Sequence, residues 1–139
     1  MNGLAFVEDL VNVVPMPMAS LYSFELRRVE FGRVCASARP SRNHYNPFGV
    51  VQGGFASGVL DMALGLVSIS VLSGNATSVA TADIAVRYLR PIYESTGVMQ
   101  IEASTLHQGR TTIVAQAVLS DGLGTPYALA QSSSAIVFV

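Results

Sequence analysis

One long apolar segment, residues 55–72, limits the folds open to this chain more than any other feature. Its large apolar side chains point in nearly every direction around a helix, and a helix that is apolar on all sides is a buried one. The segment follows the pair Gly53–Gly54, and the pair Gly74–Asn75 beyond it is typical of a helix C-terminus. The sequence therefore predicts one long helix surrounded by the rest of the fold.

The same segment is close to the length of roughly 18–20 apolar residues that spans a membrane. Asp61 lies inside it, however, and a carboxylate at the centre of a bilayer costs about 2.5–3.5 kcal/mol on insertion scales. Glycine and serine residues dilute its hydrophobicity, and no Lys, Arg or Trp flanks it closely. We therefore predict a core helix and no association with a membrane.

Asp61 is the only ionisable residue between Gly53 and Gly74, and burial of an unpaired carboxylate is costly. On a helix it falls in a narrow stripe of small and polar residues, which comprises Gly54, Ser57, Asp61, Gly65 and Ser68. Small side chains let another backbone, a partner helix or a ligand come close. Two interpretations stay open from the residues alone: a structural aspartate that caps a neighbouring loop, or a reactive carboxylate in the wall of a subunit cleft.

The flanking segments predict one short helix and six strands. Helical spacing indicates a helix over residues 3–14, ended by Pro15 and Pro17. Strands are predicted at residues 21–29, 33–38, 79–89, 97–107, 111–120 and 127–138, with a polar loop at 39–49. One antiparallel sheet curled around the long helix fits this order, because only a sheet that wraps the helix can bury all its faces. The predicted fold class is α+β, in a single domain spanning residues 1–139.

The strand at residues 79–89 has the most regular alternation of side chains. One predicted face carries Ala80, Ala82, Ile84, Val86 and Tyr88, and the other carries Thr81, Asp83, Ala85 and Arg87. This pattern places Thr81 and Tyr88 on opposite faces of the strand.

Composition bears on assembly and location. Half of the residues are hydrophobic and 12% are charged, a surplus that we expect to be buried between subunits of a homo-oligomer, a dimer or a homotetramer. The net charge is −1 with no basic stripe, which argues against nucleic-acid binding. Cys35 is the only cysteine, and the N-terminus carries Glu8 and Asp9 but no basic region, which favours a cytoplasmic protein.

Residues 44–54, HYNPFGVVQGG, are followed by LDMA at 60–63. Together they closely resemble the signature of phenylacetate-pathway (PaaI-type) hotdog acyl-CoA thioesterases: Asn, a Gly, His-Gly-Gly, and then a helix that carries Asp. The resemblance continues through residues 81–91 and the turn at 109–110, so it covers nearly the whole chain after residue 20. It implies the hotdog fold, an antiparallel sheet wrapped around a long central helix, and hydrolysis of a small aromatic or medium-chain acyl-CoA.

The resemblance also implies roles for five residues. Gly53 would donate its backbone N–H to the thioester carbonyl, and Asp61 of the partner subunit would act as nucleophile or activate a water. Asn46 and Thr81 would orient that water and the carboxylate. Gln52 stands where the family usually has His; its amide can donate a hydrogen bond but cannot carry a proton, which leaves the acyl group open. No cofactor is implied, because CoA is part of the substrate.

Cationic residues and histidines are weaker candidates. Arg90 and Arg110, with Arg87, could bind the phosphates of CoA, although ordinary solvated positions explain each of them equally well. His44 lies in the motif loop and His107 near a turn, and two distant histidines without a cysteine cluster predict no metal site.

Two other functional classes fit the sequence less well. A serine hydrolase is not supported, because the sequence has no Gly-x-Ser-x-Gly elbow. A non-catalytic acyl-CoA-binding module with the same fold is the alternative to an enzyme, and the presence of Asp61 disfavours it.

Overall fold

The computed structural model describes residues 1–13 and 16–139. In these ranges the helices are α1 Gly3–Val13, α2 Pro17–Leu21 and α3 Gly53–Ser70. The strands are β1 Glu25–Glu30, β2 Arg33–Ala38, β3 Ala76–Tyr88, β4 Met99–Gln108, β5 Thr112–Ser120 and β6 Pro126–Phe138. Short 3-10 turns at Arg42–His44 and Glu94–Thr96 lie in the connecting loops.

The six strands form one antiparallel sheet in the order β1-β2-β4-β5-β6-β3. Helix α3 lies against this sheet and contacts all six strands, while α1 packs against α3 and β1. The predicted α+β fold, with one antiparallel sheet around a long central helix, is therefore confirmed.

The core lies between α3 and the inward-facing side chains of the central strands. Alternate positions of β4, β5 and β6 are buried: Met99, Ile101, Ala103, Ile113, Ala115, Ala117, Leu119, Ala128 and Ala130. Many of these are alanines, which let the helix approach the sheet closely. From α3 they meet Val59, Leu60, Ala63, Leu64 and Val67, none of which is more than 1% exposed.

The composition of α3 predicted a helix buried on all sides, but in the structure one side of the helix is open. Gly54 and Asp61 are exposed and Ser57 and Gly65 are half-buried, whereas Ser68 is fully buried. The sheet of one chain covers only part of the circumference of the helix, so most of the small, polar stripe stays open. The helix also ends earlier than predicted, at Ser70.

The length and composition of α3 would also suit a membrane span. Its 18 residues have a mean hydropathy of 1.4, and 56% of them are buried inside the chain. Because its large apolar side chains face the sheet, packing in the core accounts for this hydropathy.

Strand β3 is an edge strand, and its predicted alternation is wrong at one point. A bulge at Ala82 separates the pair Thr81–Ser134 from the pair Asp83–Ser133. One extra residue reverses the parity of a strand. Residues 79 and 81 consequently share the inward face with residues 84, 86 and 88, so Thr81 and Tyr88 lie on the same face and not on opposite ones.

The first predicted strand, at residues 21–29, begins only at Glu25. Pro17 starts the short helix α2, within which the Ser20 hydroxyl donates to the carbonyl of Pro17 at 2.8 Å. Ser23, with a φ of 49°, turns the chain out of that helix. The predicted N-terminal helix is confirmed through Val13; its predicted end at residues 14 and 15 lies outside the described residues.

Candidate active site

The beginning of α3 presents backbone donors to the surface. The first N–H groups of a helix have no partner within it, and they lie at the positive end of the helix dipole. Gln52 is the N-cap residue, and its own N–H is occupied by the carbonyl of His44 at 2.7 Å. Gly53 follows as the first helical residue and is half-buried.

A cleft of about 360 Å³ opens at this point. It is lined by Val51, Gln52, Gly53, Ala56, Tyr88, Leu89, Arg90, Pro91, Ile92 and Tyr127. The structure thus brings together three of the residues predicted from sequence: Gln52, Gly53 and Arg90. The lining is otherwise mainly apolar and aromatic, as small-molecule sites usually are.

Tyr88 is a lining residue that the sequence did not identify as part of a site. A Cβ atom added to Gly53 would lie 3.2 Å from two ring carbons of Tyr88 and 3.4 Å from its hydroxyl oxygen. Glycine therefore lets the helix start close to the strand without displacing the Tyr88 ring. The sequence signal that could have identified Tyr88 was the alternation of β3 after the bulge, which places Tyr88 on the same inward face as Val86.

Asn46 shapes the loop that precedes the cleft. Its side-chain oxygen accepts hydrogen bonds from the N–H of Phe48 at 2.9 Å and from that of Val50 at 3.4 Å. Its backbone N–H donates to the carbonyl of Val50 at 2.7 Å. The Asn46 oxygen is thus engaged within the loop, and only the side-chain NH2 group is left for a water or a ligand.

His44 is held on both sides of its ring. Nδ1 accepts the N–H of Ser41 at 2.9 Å, so Nε2 carries the hydrogen and donates to the carbonyl of Leu21 at 2.6 Å. The ring also packs against Phe55, with their centroids 4.7 Å apart. These contacts join the motif loop to the end of α2 and give His44 a structural position.

Asp61 lies on the open stripe of α3 and is exposed in the single chain. The Thr81 hydroxyl donates to its Oδ1 at 3.4 Å, which brings together two of the predicted site residues. Across residues 1–13 and 16–139, no backbone N–H is bonded to the Asp61 carboxylate. The expectation of a buried carboxylate is therefore wrong for one chain, and the structural interpretation has no loop for Asp61 to cap.

Gly53 and Asp61 are far apart within one chain. Eight residues of α-helix rise about 12 Å, so the N–H of Gly53 and the carboxylate of Asp61 cannot reach the same carbonyl group. Gly53 meets β3 at Tyr88, whereas Asp61 meets the same strand at Thr81. One chain thus holds two separated halves of the predicted site.

The two predicted phosphate-binding arginines are also separated. Arg90 lines the cleft, and its Nη1 donates to the carbonyl of Pro126 at 2.8 Å. Arg110 lies in the β4–β5 turn, next to the end of the β5–β6 pair formed by Thr112 and Ala135. Arg90 lies at the opposite end of this pair, which is formed by Ser120 and Pro126. Eight residues of strand span about 27 Å, so these two arginines cannot hold one phosphate group in a single chain.

No group of three His, Cys, Asp or Glu residues is placed to hold a metal ion in the part of the chain that the structure describes.

The model of the thioesterase superfamily matches residues 48–126 of the chain. AziG from S. sahachiroi is 18% identical with a TM-score of 0.84, over 89% of this chain and 98% of that one. A phenylacetic acid degradation-related protein from Ralstonia eutropha JMP134 is 22% identical with a TM-score of 0.82, over 97% and 99% of the two chains. A Streptococcus mutans UA159 protein bound to acetyl-CoA is 25% identical with a TM-score of 0.75, over 83% and 89%. No curated protein sequence matches the chain.

Proposed function

This chain belongs to the thioesterase superfamily, has the hotdog fold and is a thioester hydrolase, and from that premise we propose that its substrate is a small acyl-CoA. One observation carries the proposal: the cleft at the start of α3 combines Gly53, Gln52 and Arg90 with an apolar lining. The Streptococcus mutans relative that was solved with acetyl-CoA supports CoA as the thiol half of the substrate.

We assign the oxyanion site to the backbone N–H of Gly53. It lies at the positive end of α3 and in the cleft, where a thioester carbonyl can accept its hydrogen. Negative charge grows on the carbonyl oxygen as the carbon is attacked, and a fixed donor at that place stabilises the transition state. The ring of Tyr88 lies beside Gly53 at this end of the helix.

We assign the carboxylate to Asp61 of a second subunit. The rise of about 12 Å between Gly53 and Asp61 along one helix prevents both from acting on one carbonyl within a chain. The open stripe of α3 and the unpaired edge of β3 meet where Thr81 contacts Asp61, which makes this side the best candidate for pairing two copies, as a dimer or within a tetramer.

Two routes lead from this geometry to hydrolysis. As a general base, Asp61 accepts a proton from water while the water oxygen attacks the carbonyl carbon; the C–S bond then breaks and the proton passes to the CoA thiolate. As a nucleophile, the Asp61 carboxylate forms an anhydride and releases CoA, and water then hydrolyses the anhydride. Both routes give a free acid and the CoA thiol and need no cofactor.

The other site residues have auxiliary roles in this proposal. Thr81 donates to Asp61 and directs its carboxylate, and Asn46 offers its side-chain NH2 group to the attacking water. Gln52, exposed at the N-cap, orients the substrate but carries no proton. Arg90 would bind a CoA phosphate at the cleft, whereas Arg110 could do so only from another subunit. The side chains of Tyr88, Tyr127 and Ile92 suit a small aromatic or medium-chain acyl group.

Hydrolysis of a panel of aromatic and aliphatic acyl-CoAs, measured as release of the CoA thiol, tests the proposal. Asp61→Asn is expected to lower kcat by about 10²–10⁴-fold on the best substrate, because it removes the base or nucleophile. Its Tm should stay close to that of the wild type, since Asp61 is exposed.

Asp9→Asn is the matched control, because Asp9 is also exposed and lies on α1, which neither lines the cleft nor borders the edge of β3. It should keep wild-type turnover. More than about a tenth of the wild-type kcat in Asp61→Asn would contradict the catalytic assignment. Binding of acyl-CoA by the wild type without hydrolysis of any panel member would indicate the non-catalytic binding module instead.

A further inference from the structure

Two buried hydroxyl groups on β6 have no evident purpose in the core. Ser132 and Ser134 are 2% and 1% exposed, and neither hydroxyl has a hydrogen-bond partner among the described residues. Buried hydroxyl groups are nearly always bonded, so each exception needs an explanation. Both side chains face α3 from the inward face of the sheet, the face that also carries Thr81.

The two serines differ in the residue that lies opposite on β3. Ser134 is paired with Thr81, whereas Ser132 is paired with Ile84. Side chains directly opposite each other in an antiparallel pair have Cβ atoms about 4.5–5.5 Å apart, and Ser–Thr hydrogen bonds form across such pairs. Ile84 offers no acceptor, so only Ser134 has a polar neighbour at this distance.

The hydrogen-bonding capacity of Ser134 and Thr81 is complementary. A hydroxyl group has one hydrogen and two lone pairs. Thr81 uses its hydrogen on Asp61 Oδ1, at 3.4 Å, and its lone pairs can still accept. Ser134 has a hydrogen without an acceptor in this structure, so a bond to Thr81 Oγ1 requires a change of its χ1 rotamer.

We propose that Ser134 is a positioning residue, which donates to Thr81 Oγ1 and thereby keeps the Thr81 hydrogen on Asp61. The Thr81–Asp61 distance of 3.4 Å is long for a hydroxyl donor, and a hydroxyl that accepts a hydrogen bond donates more strongly itself. The two hydrogen bonds, from Ser134 to Thr81 and from Thr81 to Asp61, form a relay. This relay is possible only because the bulge at Ala82 turns Thr81 inward. This inference rests on the proposed catalytic role of Asp61.

Ser134→Ala and Ser132→Ala form a matched pair for the test. Ser132→Ala removes a buried, unpartnered hydroxyl, so its Tm should lie at or slightly above that of the wild type. Ser134→Ala also removes the proposed bond to Thr81, so its Tm should lie at or slightly below that of the wild type. Ser134→Ala should lower kcat by about fivefold, the effect of one ordinary hydrogen bond, with KM unchanged. Ser132→Ala should leave both constants unchanged.

A double-mutant cycle with Thr81→Val separates the relay from a packing effect. In the Thr81→Val background the relay is already broken, so adding Ser134→Ala should cause no further loss of kcat. Ser134→Cys keeps the volume of the site and a weaker donor, and its kcat should lie between those of the wild type and Ser134→Ala.

Equal effects of Ser132→Ala and Ser134→Ala, or additive losses of Thr81→Val and Ser134→Ala, would overturn the inference. Should Ser134→Ala fail to fold, a Ser134→Cys variant with undiminished kcat would overturn it as well. Failure of the proposed function can be distinguished from failure of this inference. In the first case Asp61→Asn would retain activity, whatever the kcat values of the serine variants.

Discussion

Among the residues that the structure describes, the side chain that holds Asp61 is that of Thr81. Because the carboxylate is solvated, it keeps the hydration that a buried group would lose, and the fold does not depend on it. A residue of this kind can be exchanged for its amide with little effect on folding. Loss of activity in Asp61→Asn would therefore report on chemistry and not on stability.

Gln52 and Asp61 should differ in how much catalysis depends on them. Gln52→Ala removes an exposed amide at the N-cap, which can orient or polarise the substrate but cannot accept a proton at neutral pH. We expect kcat/KM to fall by about tenfold, clearly less than in Asp61→Ala, where the base or nucleophile is lost. The measurement compares kcat/KM of the two variants on one acyl-CoA, and equal losses would show that Gln52 takes part in the chemistry.

At the scale of the elements, two glycines let aromatic rings lie close to α3. Tyr88 lies against Gly53 at the start of the helix, and Tyr22 lies against Gly58 in its second turn. The ring of Tyr22 is itself packed against those of His44 and Phe55, at centroid distances of 5.8 and 5.6 Å. The motif loop, α2 and α3 thus form one packed unit beneath the cleft.

This unit predicts a stability effect at Gly58. A Cβ atom there would lie 2.9 Å from three atoms of the Tyr22 side chain, so the Gly58→Ala variant must displace the ring. Overpacking costs about 1–3 kcal/mol, and the better helix propensity of Ala returns up to about 1 kcal/mol. We expect a net loss of about 1 kcal/mol, seen as a lower midpoint in urea unfolding.

Gly122 provides the control for that experiment. A Cβ atom at this turn position meets nothing within 4 Å, and its φ is not positive. Gly122→Ala should leave the unfolding midpoint unchanged or raise it slightly. If both variants unfold like the wild type, the packing of Tyr22 on α3 is not as close as described.

At the scale of the whole molecule, the separation of Gly53 from Asp61 makes the proposed site depend on assembly. The protein should be a homo-oligomer, a dimer or a tetramer, at micromolar concentration in light scattering. A well-folded monomer with full activity would contradict both the assembly and the shared site.

Complementation between two defective variants tests the shared site directly. Asp61→Asn lacks the carboxylate, and Gly53→Pro lacks the proposed N–H donor at a first helical position that tolerates Pro, so each alone should have low activity. A mixed dimer has one site with both defects and one site with neither. When equal amounts are unfolded together and refolded, about a quarter of wild-type activity should return, since half of the dimers are mixed. No recovery, despite mixed dimers shown by differently tagged chains, would place both groups in one subunit.

The sequence by itself determined the elements and the motif. The long helix, five of the six strands and the β4–β5 hairpin follow from local periodicity and turn residues, which act within a few positions along the chain. The first strand was predicted from residue 21 but begins at Glu25, because α2 extends to Leu21 and Ser23, with a φ of 49°, turns the chain before the strand. The resemblance of the motif to a known family identified Gly53 and Gln52, which the fold places in one cleft.

Only the tertiary structure decided which residues meet. The bulge at Ala82 depends on the register between β3 and β6, so alternation within β3 could not reveal that Thr81 faces Asp61. In the same way, the exposure of Asp61 follows from how far one sheet reaches around α3, and the distance between Arg90 and Arg110 follows from the length of β5. These are properties of contacts between segments distant in the chain, and a pattern confined to one segment carries no information about them.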